Sequence, residues 1–153
     1  MLAPFLMGLV GGQRALTPLA AVTAAGARGE LAYDAPRYAT HPLVAAGVMA
    51  LAVGEMAGDK QKTAPDRVVP IGLAVRFVTS ALAGAALVSR RQRWRGAVVG
   101  GITAVVASYP GWRARMAAMP RYGQTLTGFV EDAAVIGSAT AITRKYGRRR
   151  AAH

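Results

Sequence analysis

Six charged side chains lie inside or at the ends of long apolar runs: Arg14, Glu55, Asp59, Arg76, Glu131 and Asp132. A charge at the centre of an apolar helix costs about 2.5–3.5 kcal/mol on an insertion scale, so such residues face one another or water. Glu55 and Asp59 are four residues apart and share one helix face. Two like charges there repel unless a cation or a proton lies between them. Arg14 and Arg76 are the candidate cations. Glu131 and Asp132 are adjacent and point about 100° apart on a helix, so one of them shares a site with the first pair. Asp132 is the favoured counterpart of Asp59. The chemistry that this set supports is an ion- or proton-responsive centre. Its bland counterpart is a group of buried salt bridges that lock a helical bundle.

Other chemistries find little support. There are no cysteines, so neither disulfides nor thiolate metal sites can form. His41 lies in a polar linker and His153 ends the chain, which leaves no basis for a Ser-His-Asp triad or a histidine metal site; His41 reads as a solvated cap. The glycines lie within apolar segments rather than in a phosphate-binding loop after a strand. Glu55 acting as a base on lipid would lack a nucleophile or metal beside it. The chain therefore reads as a non-enzyme without a cofactor or a metal.

The elements that must position these charges follow from hydropathy. The chain has 153 residues, 53% of them apolar, yet a formal net charge of +12. A basic nucleic-acid binder spreads its charge among short apolar patches, whereas here the charge lies between long apolar runs. Five segments emerge, at about 2–25, 42–58, 70–89, 96–109 and 122–143. Pro42 and Pro70 open two of them, and Pro110-Gly111 breaks or ends the fourth. Small residues near Ala21 to Ala27 resemble a signal-peptide cleavage site, but a basic leader is missing and Arg14 interrupts the apolar stretch. Trp94, Trp112 and Tyr122 suit headgroup depth. With five crossings and the basic end inside, eleven basic loop and tail residues fall inside and six outside. That places the N-terminus outside and the C-terminus in the cytoplasm, with residues 144–153 as a basic tail.

An internal repeat is suggested by Gly8 and Gly12 in one half and Gly96 and Gly100 in the other. Each half then carries a glycine followed by acids: Gly54, Glu55 and Asp59, then Gly128, Glu131 and Asp132. The repeats run at about 2–60 and 96–143, joined by a segment at about 70–89, and three crossings between their starts would invert one against the other. Gly11, Gly12, Gly54, Gly58, Gly100, Gly101 and Gly128 either permit close helix packing or mark where a helix unwinds. Unwinding at Gly11-Gly12 would free amides near Arg14 to hold an anion.

Gly11-Gly12-Gln13-Arg14-Ala15-Leu16-Thr17-Pro18, Gly54-Glu55-Met56-Ala57-Gly58-Asp59-Lys60 and Pro65-Asp66-Arg67 together resemble a widespread, functionally uncharacterised family of small bacterial integral membrane proteins. The resemblance covers most of the chain and implies a multi-pass protein with repeated halves, without a reaction or a substrate. The expectation is an all-α, polytopic transmembrane bundle of the inner membrane with interrupted or re-entrant helices. Its expected function is that of a small transporter or channel for an ion or an anionic or other polar solute. The alternative is a non-transporting scaffold or assembly factor. The lipid bilayer and a second copy, forming a dimer, are the expected partners; nucleic acid is not.

Overall fold

In a computed structural model the described residues are 1–32, 34–58 and 69–151, and they form seven α-helices. Asp59, Lys60 and the Pro65-Asp66-Arg67 turn lie outside the described residues.

Helix α1, Leu2–Gln13, ends where Arg14 turns extended, with φ −135° and ψ 118°. Helix α2, Thr17–Ala27, starts three residues later with Pro18 in its first turn, where proline's missing donor costs nothing. The interruption of the first apolar segment therefore falls on Arg14-Ala15-Leu16, and Gly11 and Gly12 stay helical. A short α3, Arg37–Thr40, precedes α4, Pro42–Gly58. There the exposed His41 caps the start of α4: its Nδ1 accepts the Leu43 N–H at 3.2 Å. Helix α5, Pro70–Ala86, opens on its proline, and a 3-10 turn at Arg90–Gln92 leads into α6, Arg93–Tyr122. Helix α6 runs unbroken through Pro110, where a break was expected. Gly123, at φ +77°, takes a left-handed conformation that glycine tolerates, and α7 follows over Gln124–Ala151.

Two groups of helices result. Helices α1, α5 and α6 pack on one another, and α2 carries α3, α4 and α7. The first group closes through small residues: a Cβ on Gly100 would lie 2.5 Å from the Ser80 carbonyl oxygen, and one on Gly96 would lie 2.7 Å from that of Gly84. Met7, Val10, Val22, Ala83, Leu87 and Val135 join the two groups in one apolar core.

These helices correct the transmembrane expectation. Among the described residues no helix is long and apolar enough to cross a membrane. Helices α4 and α5 have 17 residues each, about 25 Å of rise against about 30 Å of hydrocarbon. The break at Arg14 leaves α1 and α2 with 12 and 11 residues. Helices α6 and α7 are long enough, at 30 and 28 residues, but too polar. Helix α6 includes Arg93, Arg95, Arg113, Arg115 and Arg121, and α7 includes Glu131, Asp132, Arg144 and Lys145. The all-α class stands. The polytopic bundle, the multi-pass description, the inner-membrane location and the sidedness read from the basic loops do not. Helix α7 also continues past Thr143 and includes Arg144.

Candidate functional site

The break between α1 and α2 leaves backbone groups that no helical ladder satisfies. Two neighbouring helices supply their partners. The Glu55 carboxylate on α4 accepts the Ala15 N–H at Oε1 (2.8 Å) and the Leu16 N–H at Oε2 (2.9 Å). From α5, the Thr79 hydroxyl donates to the Ala15 carbonyl at 2.6 Å. A carboxylate fixed at the amino end of α2 also meets the favourable end of that helix's dipole. Gly11-Gly12 does not unwind to free amides for an anion; the amides freed at the break are those of Ala15 and Leu16, and Glu55 takes them.

Arg14 is only 1% exposed, and its guanidinium reaches across to α7, where Nη2 lies 2.6 Å from Asp132 Oδ1. Burying both charges is tolerable because each offsets the other's charge. The next acid along α7 turns to a different partner: Glu131 Oε2 accepts from Arg115 Nη1 of α6 at 3.0 Å, with both side chains mostly buried. The two adjacent acids therefore diverge, as their angular separation on a helix requires. Arg115 was expected among basic connections outside the segments. A signal for it existed: Arg115 and Glu131 lie equally far along the chain on either side of Gly123, so a helical hairpin folded there sets them opposite.

Arg76 is buried on α5, one turn before Ser80. With Glu55, Ala15, Leu16, Ile71, Gly72 and Val75 it lines a cavity of about 240 Å³ beside the break. Arg14, Glu55, Arg76 and Asp132 are thereby gathered around the α1–α2 break, whereas Glu131 belongs to a second pair with Arg115. The glycines divide as well. Side chains added at Gly11, Gly12, Gly100 and Gly101 would run into neighbours, whereas a Cβ at Gly54, Gly58 or Gly128 would meet nothing within 4 Å. Among the described residues no group of three His, Cys, Asp or Glu side chains is placed to hold a metal ion.

Chemically, the centre holds a helix break open and closed at once: its amides are freed from the ladder and then taken by a side chain of the same molecule. Every acid placed at this centre among the described residues has a fixed internal partner, either an amide pair or a guanidinium. No family model, curated protein or solved structure matches the chain, and the resemblance read from its motifs stays an expectation.

Proposed function

We propose that this chain is a non-enzymatic helical assembly element, whose buried charges are structural pairs and whose apolar exterior mates with a second copy. The observation that carries the reading is the internal engagement of Glu55, Glu131 and Asp132, each paired with an amide or a guanidinium of the same chain. A side chain already committed to two backbone amides is a splint rather than a base. The exterior supplies the mating surface. Leu43, Leu51 and Val53 on α4 and Phe129 and Val130 on α7 are each at least 58% exposed, more apolar surface than a solitary chain in water carries comfortably. On α4 they flank Gly47, Gly54 and Gly58, over which a partner backbone could approach closely.

Passage of an ion or small polar solute, the first function expected, would have to use the cavity beside Glu55 and Arg76, while no helix among the described residues is long and apolar enough to cross a membrane. The scaffold reading is preferred for that reason.

Light scattering on the purified full chain, with bound detergent subtracted, tests the proposal. The expected particle has twice the chain mass of 15.9 kDa, and Gly54→Leu returns it to one chain with an unchanged helical circular-dichroism signal. A single chain at every concentration, stable only inside a detergent or lipid particle, would assign the exterior to lipid cover and overturn self-assembly.

A further inference from the structure

A second cavity lies away from the charged centre and serves none of the interactions described above. Helices α4 and α7 each pack against α2, and where they flank it a crevice of about 320 Å³ remains. Its floor is Ala20, Ala21, Ala24 and Ala25, four methyl side chains along one side of α2. Met49 and Met56 of α4 and Ile136 of α7 form flexible apolar walls. The volume is at the small end of the roughly 300–1,000 Å³ typical of small-molecule sites, and too narrow for another helix of about 10–12 Å diameter.

The two ends of the crevice differ. At the mouth, Arg28 pairs with Glu30 at 3.1 Å, so those two charges cancel. Arg144 lines the same end and has no ion pair among the described residues, so the described side chains at the mouth are positive on balance. At the opposite end stands Thr17, 5% exposed, whose Oγ1 has no hydrogen-bond partner. Buried hydroxyls are rarely left unpaired, and Thr17 supplies the hydroxyl at this end of the crevice.

We infer that the crevice binds a single-chain fatty carboxylate, with the chain along the alanine floor, the carboxylate at Arg144 and the far end of the chain at Thr17. One chain fits because the floor follows one helix, α2, from Thr17 to Arg28, about 16 Å at 1.5 Å per residue. An anionic head fits because the mouth holds the Arg144 guanidinium, which suits a carboxylate in shape as well as charge. The unpaired Thr17 hydroxyl adds selectivity: a chain hydroxylated at its far end gains a partner that a plain chain lacks.

Native mass spectrometry of the full chain released from a non-ionic detergent, titrated with palmitate, 16-hydroxypalmitate and methyl palmitate, tests the inference. One palmitate should bind per chain, at least tenfold more tightly than the methyl ester. Arg144→Gln should weaken palmitate to the level of the ester and leave the ester unchanged. Ala24→Leu, which raises the floor, should weaken all three at least tenfold while circular dichroism stays constant. If Ala24→Leu disturbs the fold, Ala21→Leu serves in its place. 16-Hydroxypalmitate should bind more tightly than palmitate, and Thr17→Val should erase the difference. Equal binding of palmitate and its ester, undiminished binding in the alanine-floor variants, or displacement of palmitate by equimolar phosphatidylglycerol overturns the assignment.

Discussion

At the scale of single residues, the Arg14–Asp132 pair shows how far a charge pattern can be read without a fold. Truncating one partner strands the other in a dry place. Asp132→Ala should cost about 3–5 kcal/mol, because Arg14, 1% exposed, would remain charged and lose the carboxylate it faces on α7. Replacing both, as Arg14→Met with Asp132→Leu, should recover most of that loss, since a packed apolar pair avoids the desolvation altogether. Chemical denaturation of the two single variants and the double gives the coupling directly; additive losses would mean that the pair does not act as a unit. The sequence already showed that Arg14 and Asp132 needed partners, because charges in apolar runs cannot stay alone. It did not show that they partner each other. That choice depends on α7 packing beside α2, a contact between the two ends of the chain that local pattern does not encode. Glu55 was readable as an acid at a helix end, but not as a cap, because its acceptors' partners, Ala15 and Leu16, are backbone groups that every residue carries.

At the scale of helices, glycine separates packing from mere apolarity. Gly100 and Gly54 look alike in the sequence, each following a small apolar run, yet their surroundings are opposite. Gly100→Val should destabilise by about 1–3 kcal/mol, since its Cβ alone would sit 2.5 Å from the Ser80 carbonyl oxygen and α5 would have to move away from α6. Gly54→Ala meets nothing and should stabilise α4 by about 0.5–1 kcal/mol through its lower backbone entropy cost. Thermal unfolding of both variants checks the contrast, and equal shifts of the same sign would contradict the packing. Helix starts at Pro42 and Pro70 were legible because a proline at a first turn has a local physical reason. Breaks were less legible. Pro110 removes one backbone hydrogen bond, but α6 packs on α1 and α5, with Gln13 of α1 against Gly111, and that support outweighs the local defect. The break at Arg14-Ala15-Leu16 has the converse cause: Glu55 and Thr79 arrive from other helices to satisfy the groups it frees.

At the scale of the whole molecule, hydropathy read the apolar content correctly and misjudged its arrangement. A run such as 2–25 has the composition of a span, but the buried Arg14 folds it into two short helices. What joins the resulting helix groups is partly polar, and this gives the molecule a pH response. Tyr38, on α3 beside α2, donates its phenolic hydrogen to the Leu82 carbonyl of α5 at 2.8 Å. Burial raises its pKa above the usual 10.0, with the Arg93 guanidinium opposing that rise. A raised value in the folded chain means that folding favours the protonated phenol. Its contribution is therefore fully present below pH about 10 and is lost as pH climbs through the folded value, when the donor becomes an anion beside a carbonyl. Tyr38→Phe should cost about 1 kcal/mol at neutral pH through the lost hydrogen bond. The gap between wild type and Tyr38→Phe should then narrow as the solution is made alkaline, because the variant has no proton to lose at that position. Denaturant midpoints of the two proteins, followed from neutral to strongly alkaline pH, measure that gap. A gap that stays constant throughout would show that the Tyr38 hydroxyl does not tie the α2 group to α5.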